Sequence, residues 1–254
     1  MKNIFFFILL SAAFSMSAQD GYQCWLAKHD QQQLIHPKNR AGVYPNQLMS
    51  RYDMHFYFLD LHVERNTTVI DGAVTLGAKL MSSTDTFCFE LNQNLIIDSI
   101  VYNNQAISYN RFGNITYALF GSTVTSGSNV SVRIYYHGDA YVPGAAAVGN
   151  GFTHNNSNVW GDTAVFSLSQ PYSAYEWFPC KQFLQDKADS AWIFITTSKQ
   201  NLAGSNGLLE GVDTLSATNQ LRFRWKTHYK IDYYLISVAV GKYLDYTFYA
   251  HPAS

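Results

Sequence analysis

From residue 51 onward the chain alternates apolar and polar side chains in short runs, the period of two that marks strands with one face in a core. The clearest run is 52–64, where Tyr57, Leu59, Leu61 and Val63 share one face while His62 and Glu64 take the other. That spacing predicts a long, half-buried strand. Runs at 69–80, 86–91, 95–102, 115–120, 129–136, 164–168, 192–197, 221–225 and 234–248 predict further strands. Between them stand Asn103-Asn104, Gly113-Asn114, Ser126-Gly127 and Asn206-Gly207, pairs that enter positive φ at little cost. No window of a dozen residues keeps a helical period. The pattern predicts an all-β fold, a saddle-like or sandwich arrangement of mostly antiparallel sheets.

The pattern fails in three places. Residues 1–18 join Lys2 to an apolar run and then the small residues Ser15, Ser17 and Ala18, the charged, apolar and cleavable parts of a signal peptide. The apolar run is shorter than the ~20 residues needed to span a bilayer, so no transmembrane segment is expected. Residues 19–50 lack a sustained period and read as a lead-in with one short helix. Residues 140–158 shift to Gly, Ala, Asn and Ser, the composition of an exposed insertion loop of the kind that borders binding sites.

Composition narrows the picture. Apolar residues make up 47% and aromatics 16% of the chain, which excludes disorder and fills a substantial core. The net charge of -1 gives no field to gather nucleic acid or anionic lipid. Export predicts an oxidising location, periplasmic, cell-surface or extracellular, where at most one pair among Cys24, Cys88 and Cys180 can close. All three pairings stay open, and no pair has metal-ligand spacing.

One segment carries more than pattern. Gln170-Pro171-Tyr172-Ser173-Ala174-Tyr175-Glu176-Trp177-Phe178-Pro179-Cys180-Lys181, followed by Lys187-Ala188, resembles the stretch E/Q-P-x-x-A-R-x-x-F-P-C-x-D and K-A of the first β domain in the aminopeptidase N family of zinc metallopeptidases. The entering strand from Tyr52, the turn Ser205-Asn206-Gly207 and the closing Tyr233-Tyr234-Leu235 with Val240-Gly241-Lys242-Tyr243 agree in the same order. The resemblance covers residues 51 to about 246, within an expected domain of residues 51–250. It departs at Tyr175, where the family has arginine, and at Gln182, where it has aspartate.

The resemblance implies an N-terminal, substrate-anchoring domain of a secreted zinc aminopeptidase that releases amino-terminal residues from peptides. Gln170 stands where relatives place a Glu or Gln that accepts a hydrogen bond from the substrate amine, and Tyr172 and Tyr175 are candidates for lining a side-chain pocket. The family's H-E-x-x-H, two histidines one helical turn apart on one zinc with a glutamate as general base, is absent from this sequence, as is G-x-M-E-N. No catalytic residue and no metal ligand is therefore expected in this chain; zinc belongs to a catalytic domain beyond it, and the chain is expected to be inactive by itself. The competing expectation is a non-catalytic exported module that binds peptide, glycan or protein. Glu176, Asp186 and Asp189 also invite a glycosidase carboxylate pair, against which stands the ordinary expectation of solvated acids on a loop.

Overall fold

The computed structural model describes residues 48–141, 151–157, 161–169 and 171–244. The expected signal peptide, nearly all of the lead-in, Cys24, Gln170, residues 142–150 and 158–160, and the last ten residues lie outside the described residues.

The strands are β1 (Tyr52–Val63), β2 (Val69–Leu80), β3 (Thr84–Glu90), β4 (Ile96–Tyr102), β5 (Gln105–Ala106), β6 (Tyr109–Phe112), β7 (Ile115–Val124) and β8 (Asn129–Asp139). There follow β9 (Phe152–Ser157), β10 (Asp162–Ser167), β11 (Ser190–Ser198), β12 (Leu202–Ser205), β13 (Leu208–Leu215), β14 (Gln220–Thr227) and β15 (Val238–Gly241). Two 3-10 turns, Ala174–Glu176 and Tyr233–Leu235, interrupt them.

An eight-stranded sheet runs β13-β14-β11-β1-β2-β8-β4-β5, and two smaller sheets run β12-β15-β10-β9 and β3-β7-β6. Pairing is antiparallel except between β1 and β11, where Phe56 opposes Ser190 in a parallel register. The inward face of the large sheet, with Leu59, Leu61, Val74, Leu76, Ile134 and Ile193, shares one core with Phe87, Phe89 and Phe120 of the three-stranded sheet and Phe152, Val165 and Val240 of the four-stranded one. The outward face keeps half-exposed and exposed side chains, as antiparallel sheets covered on one side do. Both small sheets thus lie over one side of the large sheet.

β1 shows how sequence sets this face. The expected row Tyr57, Leu59, Leu61 and Val63 is buried, but Tyr52 and Met54 are buried too, although they sit in the opposite phase. A bulge resolves the conflict: Met54 opposes Ala78 and Phe56 opposes Gly77, leaving His55 as the extra residue that flips the alternation.

Three expectations change. The run 234–248 breaks up in its described part, which ends at 244: Tyr233 turns inward in a 3-10 turn, and among these residues only Val238–Gly241 pairs, between β12 and β10. The expected insertion loop contains β9, whose Phe152 is fully buried against the core, so its later part is structural. Strand β13 was not legible: as a sheet edge it leaves Leu208, Leu209 and Val212 exposed, and a bulge between Leu209 and Gly211 breaks its alternation.

The turn Ser205-Asn206-Gly207 carries the chain from β12 of the four-stranded sheet to β13 of the eight-stranded one. Ser205 Oγ donates to Ser237 O at 2.7 Å, and Ser237 N donates to Asn206 Oδ1 at 2.7 Å. Gly207 has φ +90°, and a Cβ there would meet Lys226 O at 2.0 Å. Gly207→Ala is expected to cost at least ~2 kcal/mol. Gly204→Ala, three residues away with open space at its Cβ position, should stay within about 0.5 kcal/mol. Urea unfolding of both variants checks the contrast.

Candidate functional site

Ser169 and residues 171–182 form an irregular strap over the inward side of the large sheet. Ser173 N donates to Ser169 O at 3.1 Å, then Trp177 N and Phe178 N both donate to Ala174 O at 3.1 Å, closing a single turn. Pro179 cannot continue it and pushes Phe178 out of the helical region. The chain straightens, and Cys180 pairs with Glu90 at the end of β3, with N–O distances of 2.9 and 3.0 Å.

A buried segment without ladder partners needs others for its backbone groups. Three tyrosines from separate elements supply them. Tyr136 on β8 donates to Trp177 O at 2.9 Å, Tyr233 donates to Pro171 O at 2.6 Å, and Tyr57 on β1 accepts from Lys181 N at 3.3 Å. Burial pushes all three phenols above their ordinary pKa, so they remain neutral. Trp177 is fully buried, donates through Nε1 to Ser169 Oγ at 2.8 Å, and stacks on Phe152 of β9 at 5.6 Å. β9 approaches so closely that a Cβ on Gly151 would meet Ser173 O at 2.1 Å, and Gly151 N donates to the buried Glu176 carboxylate.

The far end of the strap carries an ion pair. Lys181 and Asp186 are paired with side chains only 4% and 9% exposed. Lys181 Nζ also donates to Tyr52 O and sits 4.6 Å from the Tyr52 ring centroid and 4.7 Å from that of Phe183, while Asp186 Oδ1 accepts from Met54 N at 3.1 Å. Burial lowers the Lys181 pKa and raises that of Asp186 against their mutual attraction, so desolvation dominates both. The expectation of solvated acids is therefore corrected for Glu176 and Asp186, each buried with its own partner. Asp189 alone of the three is exposed, with Lys230 3.7 Å away. The Lys181–Asp186 pair was not foreseen; its only trace in the sequence is a lysine directly after the Phe-Pro-Cys run.

Beside the strap opens a cavity of about 350 Å³ lined by Met49, Glu90, Tyr172, Gln182, Phe183 and Leu184 among others. Tyr172 is half-buried on its wall. Tyr175, only 6% exposed, packs in the core, and its carbonyl accepts from Asn92 N at 2.7 Å. Gln170 is outside the described residues; its sequence neighbours Ser169 and Pro171 are each tied down as above. The amide of Gln182 donates to Glu90 Oε2 at 3.0 Å, a contact that an aspartate at 182 would replace with like-charge repulsion. Cys88 and Cys180 are free, buried thiols whose pKa burial raises, so the pairing between these two is not formed.

The cavity offers a carboxylate, an amide and a phenol to a ligand with N–H donors. Among the described residues no cluster of three or more His, Cys, Asp or Glu side chains could hold a metal, so zinc does not fit here and no reaction step is assigned to it. Among the same residues no helix is long and apolar enough to cross a membrane.

No family model and no curated protein sequence matches the chain. The fold is that of the N-terminal β domain of M1 zinc metallopeptidases, the aminopeptidase N family. The M1 zinc metallopeptidase from Deinococcus radiodurans superposes with a TM-score of 0.66 and 19% identity, covering 75% of this chain and 42% of its own. A mutant of the same organism's enzyme bound to a Tyr-Ser-Ala substrate gives 0.66 and 18% over the same shares. A two-domain M1 mutant bound to L-arginine gives 0.66 and 19%, again covering 75% of this chain and 42% of its own. The chain thus spans under half the length of these structures, and the likeness at this identity is one of fold.

Two variants test the strap. Tyr136→Phe leaves Trp177 O buried without its donor and is expected to cost about 1–3 kcal/mol. Lys181→Met strands a buried carboxylate and should cost about 3–5 kcal/mol, most of it recovered in the double variant Lys181→Met with Asp186→Leu. A double-mutant cycle by chemical denaturation measures the coupling.

Proposed function

We propose that this chain is the exported, N-terminal substrate-anchoring domain of a zinc aminopeptidase, positioning the amino terminus of a peptide for a catalytic domain. The observation that carries the reading is the strap of Ser169 and residues 171–182, fixed by three tyrosine hydroxyls and placed beside the cavity of Glu90 and Tyr172 on an M1-type fold.

In this reading Gln170 accepts a hydrogen bond from the substrate's ammonium group, and Tyr172 borders the first side chain. A strap with satisfied backbone groups gives such a contact a fixed origin, which lowers the ordering cost of binding. A glutamine carbonyl lacks the charge assistance of a carboxylate, so the contact aligns the substrate more than it holds it. Tyr175 supports the strap from below. Bond breaking is assigned to a zinc domain that these 254 residues do not contain, since neither H-E-x-x-H nor G-x-M-E-N occurs in them.

Protein isolated from its native source is expected to have an intact mass well above 28.7 kDa, or to co-purify with a zinc peptidase, and to cleave aminoacyl arylamides. Residues 19–254 alone with added zinc should release nothing. In the complete enzyme Gln170→Ala should raise KM about fivefold with kcat less affected, the loss of roughly one hydrogen bond. An isolated chain that hydrolyses arylamides, or unchanged kinetics in the variant, overturns the assignment.

A further inference from the structure

The outward face of the eight-stranded sheet, opposite the strap, has a shape of its own. Along β2 the outward side chains Ala73, Thr75 and Gly77 are short, whereas Phe58 and Asp60 on β1 and Arg133 and Tyr135 on β8 stand on either side of them. Small residues between large ones make a trough. Two cavities of about 600 and 480 Å³ open along it and share Arg133 and Tyr135. The first reaches Thr196 and Gln220, the second Asn103 and Asn104 in the tight turn after β4.

Its charges close among themselves. Asp60 receives Arg222 at 2.8 Å and Arg133 at 3.5 Å, and these guanidinium groups lie over the Phe194 and Phe58 rings at 5.1 and 5.7 Å. His137, whose pKa Asp98 holds above the ordinary imidazole value, sits 2.9 Å from Asp98 and faces Asp71 across the β2–β8 register. Three acids thus meet three bases, and neither an anionic nor a cationic polymer finds a field of opposite sign. β1, β2 and β8 are interior strands with both edges paired, so no edge is free here for an extended peptide to add as a strand. What the trough does offer is planar amide, carboxylate and guanidinium groups, along with Tyr135, a residue 39% exposed whose ring has the Arg133 guanidinium 5.1 Å from its centroid. Forked polar groups match pairs of neighbouring hydroxyls, and an aromatic face packs on the C–H side of a pyranose ring.

We propose that this trough is a second binding site, separate from the strap, and that it takes a neutral oligosaccharide. The two cavities in sequence suit several sugar units laid along β2, with Arg133 and Tyr135 at the midpoint. Recognition here is independent of any peptidase role, because the site uses the face of the sheet that the strap does not touch.

Calorimetric titration of the full chain with cellohexaose, chitohexaose and maltohexaose, each uncharged, tests the assignment. At least one is expected to bind. Tyr135→Ala should weaken it about tenfold. Thr75→Gln, which raises the floor of the trough, should abolish it, with the thermal midpoint of both variants close to that of the parent. Tyr172→Ala, in the strap on the other side of the sheet, should leave it unchanged. Absence of binding by all three sugars overturns the proposal. So does binding that survives both trough substitutions, or binding confined to a sulfated sugar or a lysine-rich peptide.

Discussion

A polypeptide segment can be buried without regular structure only if its peptide groups find partners other than a ladder. That constraint organises this molecule. The strap of Ser169 and residues 171–182 passes over the inward face of a sheet, and its carbonyl and amide groups are met by phenolic hydroxyls of Tyr57, Tyr136 and Tyr233. Each tyrosine comes from a different part of the chain and fills the core with its ring while ending in a polar tip. The same side chains therefore pack the two layers together and fix the loop between them. Burial raises the pKa of these phenols and keeps them neutral, so Tyr136 and Tyr233 retain the hydrogens they donate to the loop.

The fold was legible in the sequence because its strands obey a period of two; the 57–63 row, the 69–80 strand and the edges of β8, β11 and β14 needed only side-chain character. What escaped were features decided between strands. The His55 bulge depends on how β1 meets β2, and β13 is a sheet edge whose exposed leucines carry no alternation. Of the residues singled out in the sequence, Tyr172 stands on a cavity wall and Tyr175 lies in the core, in the middle of a 3-10 turn whose three residues are all buried, a burial that no local pattern announces. The burial of Asp186 was hidden for a related reason: a carboxylate enters a core only with its counter-ion, and the pair is set by tertiary contacts, Lys181 with Tyr52 O and Asp186 with Met54 N.

The large sheet is used on both faces, in different ways. Its inward face is apolar and carries the strap, while its outward face is a lattice of aromatic rings capped by Arg133, Arg222 and Lys226. Those cations cover the rings with their stems and return their charge to Asp60 and Glu210, so the half-exposed aromatics Phe56, Phe58, Trp192 and Phe194 stay in register without a covering layer. The result is a rigid platform whose shape is set by short residues on β2.

The pairing of β1 with β11 has a temporal consequence. Phe56 meets Ser190 across the middle of the sheet, so every strand from β2 to β10 must be made before the centre can close. Contacts so distant along the chain charge loop-closure entropy before they return any stabilisation, which places the molecule among slow folders. A nascent chain halted before β11 would hold β1 as an unprotected edge, with Phe58 and its neighbours facing water. Slow closure of this kind lengthens the time for which that edge stands open to pairing with another chain.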